Sequence, residues 1–134
     1  MTRRTHLALI IGLFLVPCSL AAHHAASTKY DMNKPITLKG TVTKVEWQNP
    51  HIYYYLDVKD AAGKVTNWAV EGSTPNQLFR QGWRKDTLKS GDEITVQGFM
   101  ARKEGLTHIN GRNVTLPDGR KVFAGSAEDG LGTR

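Results

Sequence analysis

The segment from His51 to Val58 alternates strictly between two kinds of side chain. One side of an extended strand would carry Ile52, Tyr54, Leu56 and Val58, and the other side His51, Tyr53, Tyr55 and Asp57. A period of two is typical of a β-strand that packs one face on a core. The chain is therefore predicted to build a sheet and not a helical bundle.

β-rich runs precede and follow this segment. The predicted strands run from Ile36 to Trp47, His51 to Val58, Val65 to Glu71, Glu93 to Arg102, Asn110 to Leu116 and Arg120 to Ala124. Between the third and fourth strands, Thr74 and Pro75 favour the start of a short helix from Asn76 to Gln81, which Gly82 ends. The segment from Ala25 to Lys34 is expected to be a polar lead-in without a clear period.

This order of elements predicts an all-β fold with little helix. Three strands, one short helix and two or three more strands form the order of an OB-fold, and closing a small sheet into a barrel removes its edges. Gly40 and Gly98 stand where strands of such a barrel would have to coil tightly. We expect an OB-fold-like antiparallel barrel of five to six strands, with the helix between strands 3 and 4. A flat meander capped by the helix is the alternative.

Residues 1–22 have the pattern of a cleavable export signal. Arg3 and Arg4 precede an uncharged run from Leu7 to Val16, and small residues follow. A membrane-spanning helix needs about 20 apolar residues, and this run is about half that length. Cleavage after Ala21 would leave Ala22 at the new N-terminus, and cleavage after Ala22 would leave His23. We expect a periplasmic or secreted protein free of the membrane, with one domain over residues 23–126 and a disordered tail over 127–134.

Charge and cysteine content limit the possible sites further. The 134-residue chain has a net charge of +6, and loss of residues 1–22 removes Arg3 and Arg4 but no acid, which leaves +4. Cys18, the only cysteine, is removed with them. The mature chain can therefore form no disulfide and no thiolate metal site. Its basic residues are scattered, and with export this argues against nucleic acid as a partner.

Several motifs together resemble a family of small exported bacterial proteins of unknown function. They are His23-His24, Gly40 to Trp47, Asn49-Pro50-His51, Asn67 to Gly72, Gly82-Trp83, Leu88 to Glu93 and Asp118 to Phe123. The resemblance covers residues 23–126 and differs at Ala25-Ala26, where a Ser-Phe pair is expected. It implies export and a small β-barrel, and it supplies no catalytic residues.

The histidines are one candidate site. With Ala22 first, the free amine, the backbone amides and His24 would surround a square-planar Cu(II) or Ni(II) ion. With His23 first, its amine and imidazole would chelate the ion together, and His24 or His51 would add a nitrogen. The alternative is that the two terminal histidines are solvated and bind metal only opportunistically. No other cofactor is predicted.

The second candidate is a ligand-binding face on the second and third strands, which form the usual ligand face of an OB-fold. Tyr53 and Tyr55 would point outward there, Asn67 and Glu71 would share the face, and Trp47 or Trp83 would border it. The alternative is that tyrosines are simply good strand formers that cover part of a sheet.

No catalytic residue is predicted, and we expect a non-enzymatic protein that binds an unidentified small molecule or ion. The sequence has no Gly-x-Ser-x-Gly turn, no His-Glu-x-x-His helix and no Gly-rich phosphate loop. His108 is expected to lie in a turn without a role. Interaction with a protein through an open barrel edge is a further alternative.

Overall fold

The computed structural model describes residues 28–125. Six strands and one helix follow in the order β1 (Tyr30–Glu46), β2 (Tyr53–Lys59), β3 (Val65–Glu71), α1 (Pro75–Arg80), β4 (Glu93–Ala101), β5 (His108–Thr115) and β6 (Lys121–Phe123). The mostly antiparallel sheet and the single short helix between β3 and β4 are confirmed. The predicted signal peptide, His23, His24 and the predicted tail 127–134 lie outside the described residues.

Five strands close into a barrel-like ring. The strand order is β3-β2-β1-β4-β5-β6, and β3 also pairs with β5, so that β6 extends the sheet outside the ring. The β3–β5 pairing is parallel and joins Ala69 to His108 and Glu71 to Asn110. A ring of five strands with four antiparallel pairings must close on one parallel pairing, because neighbouring directions alternate and five is odd. The sheet is therefore mostly antiparallel, as predicted, with one parallel pairing at this seam, and the OB-fold assignment stays a prediction.

The inward face of β2 supplies the centre of the core. Ile52, Tyr54 and Leu56 are completely buried, and Tyr53 and Tyr55 lie half-buried on the other face, as the alternation predicts. Trp83, after the helix, is 1% exposed and donates its indole N–H to the Phe123 carbonyl at 3.0 Å. Trp83 is therefore a core residue, and the prediction that Trp47 or Trp83 borders the ligand face rests on Trp47 alone.

Strand β1 is longer than predicted, because it begins at Tyr30 and not at Ile36. Its pairing with β4 shifts register between Tyr30 and Pro35, and this irregularity interrupts the alternation that would reveal a strand. Beyond it, β1 pairs first with β4 and then with β2. Gly40 lies near this change of partner, where a Cβ atom would stand 2.5 Å from the Asp57 carbonyl oxygen.

Helix α1 has the boundaries that its sequence predicts to within one residue. The Thr74 hydroxyl accepts a hydrogen bond from the Gln77 amide at 3.2 Å, Pro75 is the first helical residue, and Gly82 follows with a φ of 93°. The helix buries Leu78 in the core. Among residues 28–125, no helix has the length and apolar character needed to cross a membrane.

Candidate binding site around Glu71

Glu71 is the last residue of β3 and lies on the seam of the ring. It stands opposite Tyr53 on β2 and beside Asn110 on β5. Because Val70 faces the core, Glu71 points to the outer face, yet only 6% of its surface is exposed. A carboxylate that is covered in this way needs hydrogen-bond partners, since a buried charge without them is costly.

Four side chains surround the Glu71 carboxylate, and one of them is the Tyr53 phenol, which hydrogen-bonds to it from β2. Oε2 forms an ion pair with the Lys29 ammonium and accepts a hydrogen bond from the Tyr30 hydroxyl at 2.5 Å. The other oxygen, Oε1, lies 2.6 Å from Nδ1 of His51. Residues from three separate segments of the chain therefore meet on one carboxylate, which joins the start of β1 and the residues before β2 to the seam.

These contacts keep Glu71 ionised. Burial alone would raise the pKa of the Glu71 carboxyl, but hydrogen bonds from Lys29, Tyr30 and Tyr53, together with the charge of Lys29, lower that pKa to about 2. Burial raises the pKa of the Tyr30 hydroxyl, and its hydrogen bond to Glu71 raises it further. The cluster thus contains an ionised carboxylate and a protonated phenol at neutral pH.

His108, the first residue of β5, contacts Tyr30 and not Glu71 directly. Its Nε2 lies 3.0 Å from the Tyr30 hydroxyl and 3.7 Å from Glu71 Oε2, and the Tyr30 and His108 rings meet edge to face at 5.5 Å. Burial lowers the pKa of His108, and the nearby Lys29 charge lowers it further. The prediction that His108 lies in a turn is wrong, because His108 begins β5 and contacts Tyr30.

The number of available donors determines which atoms of Tyr30, His108 and His51 carry the protons in these hydrogen bonds. An ionised carboxylate only accepts hydrogen bonds, so the single Tyr30 proton points to Glu71. The His108 contact must then be an Nε2–H donating to the Tyr30 oxygen. By the same rule, the His51 Nδ1–H donates to Glu71, and the lone pair of a neutral His51 is at Nε2.

The backbone of the next residue, Ile52, is held on both its N–H and its C=O and so fixes where His51 stands. The Ile52 amide donates to the Ser73 carbonyl at 3.1 Å, and the Gly72 amide donates to the Ile52 carbonyl at 2.9 Å. The side chain of His51 is 36% exposed, in contrast to the covered Glu71. A histidine whose Nδ1–H is held by a carboxylate and whose Nε2 keeps a lone pair is the arrangement in which imidazoles commonly bind metal ions.

The predicted ligand face exists as a surface, but most of its polar groups are paired with each other. Tyr53, Tyr55, Asn67 and Glu71 lie on the outer face of β2 and β3, as predicted. The Tyr55 hydroxyl donates to Glu46 at 2.9 Å, and the Asn67 amide donates to Asp57 at 2.8 Å. Trp47 stacks on Phe79 of α1, with ring centres 5.1 Å apart. Glu71 joins this face to His51, and the Tyr53 ring lies against the His108 ring with centroids 6.0 Å apart.

The predicted metal ligands are placed only in part. His51 lies in the Glu71 cluster, and His23 and His24 lie outside the described residues. Between residues 28 and 125, no three His, Cys, Asp or Glu side chains are grouped so that they could hold a metal ion. A metal site at His51 would therefore need nitrogen ligands from elsewhere in the chain.

Sequence reasoning missed three members of the cluster, Lys29, Tyr30 and His108. Tyr30 is 1% exposed, but it lies in a polar segment. The register shift in that segment removes the alternation that would predict its burial. Lys29 precedes it and has no periodic pattern around it. The one available signal was the aromatic Tyr30 itself, isolated among polar residues and therefore a candidate for burial.

Comparison with known proteins places the chain in a family but assigns no activity. No curated protein matches it, and no solved structure matches it. The family model of DUF6152, described as a family of unknown function, matches residues 13–110 and so covers most of the chain. The protein therefore belongs to the DUF6152 family, whose function is unknown.

Proposed function

We propose that this protein is an exported, non-enzymatic binding protein for a divalent transition-metal ion, with Cu(II) preferred and Ni(II) second. His51 is the fixed ligand, and His23 and His24 supply further nitrogens. The observation that carries the proposal is the 2.6 Å contact between His51 Nδ1 and Glu71 Oε1, which leaves Nε2 as the lone-pair nitrogen. A carboxylate behind an imidazole orients the ring and raises its basicity toward a metal.

The available donors favour Cu(II) or Ni(II). Without Cys18 the mature chain has no thiolate, so metal sites built on cysteine sulfur are excluded. Imidazole, amine and amide nitrogens suit tetragonal Cu(II) and Ni(II), and Cu(II) stands highest in the affinity order of the divalent ions. The export signal pattern supports a periplasmic or secreted location for this site.

The length of the chain allows the terminal histidines to meet His51. His24 precedes Lys29 by five residues, and an extended segment of that length spans about 17 Å. Lys29 and His51 contact the two oxygens of one carboxylate, so the Lys29 backbone lies within the length of a lysine side chain from Glu71. The segment that connects His24 to Lys29 is therefore long enough for His24 and His23 to bind the same ion as His51.

Two other functions have weaker support. A small organic ligand on the outer face would have to replace the Tyr55–Glu46 and Asn67–Asp57 hydrogen bonds. A protein partner at the edge of β6 would meet a strand end that is already bound, because Trp83 and Ser73 donate to the carbonyls of Phe123 and Ala124. An enzymatic role lacks every catalytic motif sought in the sequence.

Titration with Cu(II) tests the proposal on protein exported by a bacterial host, so that the N-terminus is the processed one. We expect one Cu(II) per chain, with affinity reduced about 100-fold or more in His51→Ala and His24→Ala. Glu71→Gln should reduce it about 10- to 100-fold, the range for a partner behind a metal ligand. Glu46→Gln is the matched control, since Glu46 accepts from Tyr55 on the same face away from His51.

The electron paramagnetic resonance spectrum of the Cu(II) complex reports its nitrogen ligands directly. The expected spectrum is that of a tetragonal site whose nitrogen couplings decrease in His51→Ala. If His51→Ala binds as tightly as the original protein with the same spectrum, the ion is held by the terminus alone and the proposed site is wrong. Absence of Cu(II) and Ni(II) binding in the original protein would reject the proposed function altogether.

A further inference from the structure

We infer that Tyr30, with His108 behind it, is the positioning residue that holds Glu71 toward His51. This inference rests on the proposed function, since it concerns the same site. Tyr30 touches neither His51 nor any predicted metal ligand in the described contacts, and it acts through the carboxylate. It would therefore tune metal binding without being a ligand.

The position of Tyr30 is fixed by backbone as well as by burial. Tyr30 pairs with Ala101 at the end of β4, and the Arg102 amide donates to the Lys29 carbonyl at 2.9 Å. The Tyr30 side chain is almost completely buried. A phenol held in this way places its hydroxyl at one point, which a flexible side chain would not do.

Lys29 cannot fix the carboxylate to the same degree. Its side chain is 46% exposed, and a long ammonium side chain keeps much of its rotational freedom at that exposure. Lys29 and Tyr30 share Oε2, and of these two only Tyr30 is a buried, directional donor. The Tyr53 phenol also hydrogen-bonds to Glu71, but Tyr53 is only half-buried, so we assign the main part in orienting Oε1 toward His51 to Tyr30.

His108 completes the order of donors behind Tyr30. Because the Glu71 carboxylate accepts the Tyr30 proton, the phenol oxygen is left to accept from the His108 Nε2–H. The resulting order of donors is His108 to Tyr30 to Glu71 Oε2, with His51 donating to Oε1. Removal of the Tyr30 hydroxyl would take away one donor to Glu71 and would leave the His108 N–H without its acceptor.

Tyr30→Phe tests the inference, and Tyr55→Phe is the matched control. Both substitutions remove a phenol that donates to a carboxylate, Glu71 in one case and Glu46 in the other. The first readout is the ¹⁵N spectrum of His51 in the metal-free protein, which distinguishes the Nδ1–H tautomer from the Nε2–H tautomer. We expect the original protein and Tyr55→Phe to show Nδ1–H, and Tyr30→Phe to show a mixture of both.

The second readout is Cu(II) affinity together with the spectrum of the complex. We expect Tyr30→Phe to lower the affinity about tenfold with unchanged nitrogen couplings, because a positioning residue alters orientation and not the ligand set. A loss of nitrogen coupling would show that Tyr30 controls which ligands bind and would overturn the inference. Tyr55→Phe should change neither quantity.

The two proposals fail in different ways. If His51→Ala loses Cu(II) but Tyr30→Phe keeps both the affinity and the pure Nδ1–H tautomer, the proposed function stands and the positioning role is wrong. If no variant or original protein binds Cu(II) or Ni(II), the function is wrong, while the tautomer measurement still decides the positioning role. His108→Phe is the second variant should Tyr30→Phe not fold, and it should also produce a mixed His51 tautomer.

Discussion

The Tyr30 hydroxyl donates a 2.5 Å hydrogen bond to the Glu71 carboxylate across 41 residues of chain. This contact joins the first residue of β1 to the last residue of β3, where the ring closes. The same carboxylate also binds Lys29 and His51. One buried acid thus connects the entry of the N-terminal segment with the seam.

Loss of the Glu71 charge should destabilise the fold. We expect Glu71→Gln to lower the free energy of unfolding by about 2–3 kcal/mol, because Lys29, Tyr30 and His51 would lose a shared charged acceptor. Urea unfolding at pH 7 measures the change. Asp118→Asn is the control, since its ion pair with Arg120 is exposed and its loss should leave the free energy of unfolding nearly unchanged. Equal effects of the two substitutions would contradict the prediction.

The stability of the metal-free protein should fall in acid. The pKa of Glu71 is about 2 in the folded protein, below its ordinary value of 4.5, so its contribution is complete above pH 4.5 and is lost as pH falls toward 2. The contribution corresponds to roughly 3 kcal/mol as an upper limit. His108, whose pKa is lowered by burial, adds a smaller loss that begins below pH 6.5.

Urea midpoints measured from pH 7 to pH 2 check this dependence. Between pH 4.5 and 2, the curve of the original protein should fall more steeply than that of Glu71→Gln. Parallel curves for the two proteins over this range would show that Glu71 is not ionised in a stabilising environment.

The close approach of β4 and β5 should make Gly98 intolerant of any side chain. A Cβ atom on Gly98 would lie 2.0 Å from the Asn110 carbonyl oxygen, at the register shift between the two strands. We expect Gly98→Ala to cost about 3 kcal/mol, with faster amide exchange along β4 and β5. Gly82→Ala, which meets open space at a φ of 93°, should cost about 1 kcal/mol and leave exchange in the sheet unchanged.

Trp83 and Trp47 should differ in their contribution to the free energy of unfolding. Trp83→Phe removes a completely buried indole and its hydrogen bond to the Phe123 carbonyl, and we expect a loss of about 2–3 kcal/mol. Trp47→Phe keeps an aromatic ring for stacking on the exposed Phe79, and its cost should stay below about 1 kcal/mol. Thermal unfolding of both variants provides the comparison, and a reversed order would contradict it.

The intact mass of the exported protein tests whether the predicted signal peptide is cleaved. We expect the periplasmic or secreted fraction to contain a chain that begins at Ala22 or His23 and lacks Cys18. Intact mass separates the two start sites, which differ by one alanine. A protein that retains Met1 in the cytosol would remove the basis for the terminal metal ligands.

Local patterns in the sequence predicted much of the fold. Alternation in β2 identified which side chains enter the core, and the Thr74–Pro75 pair with Gly82 identified the helix. These features depend on residues close in sequence, so a single strand or turn contains the necessary information. Tyr53, Asn67 and Glu71 were placed on one face for the same reason.

The cluster itself was not predictable in this way. Its members come from the start of β1, the residues before β2, the end of β3 and the start of β5, so their meeting depends on how the ring closes. Lys29 and Tyr30 also precede a register irregularity, which removes the periodic signal. His108 was misplaced because parallel pairing with Ala69, and not a local pattern, makes it part of a strand.

The division of β1 between two neighbours has a consequence for when the chain can fold. The half of β1 that includes Leu38 pairs with the strand that contains Val96. That strand is synthesised only after most of the chain, so this pairing forms late. Long-range strand pairing of this kind slows folding, since a large loop must close before its contacts form. A nascent chain that acquires its central strand pair so late stays unfolded during most of its synthesis, and an unfolded chain is what the proposed periplasmic or secreted location would require for export.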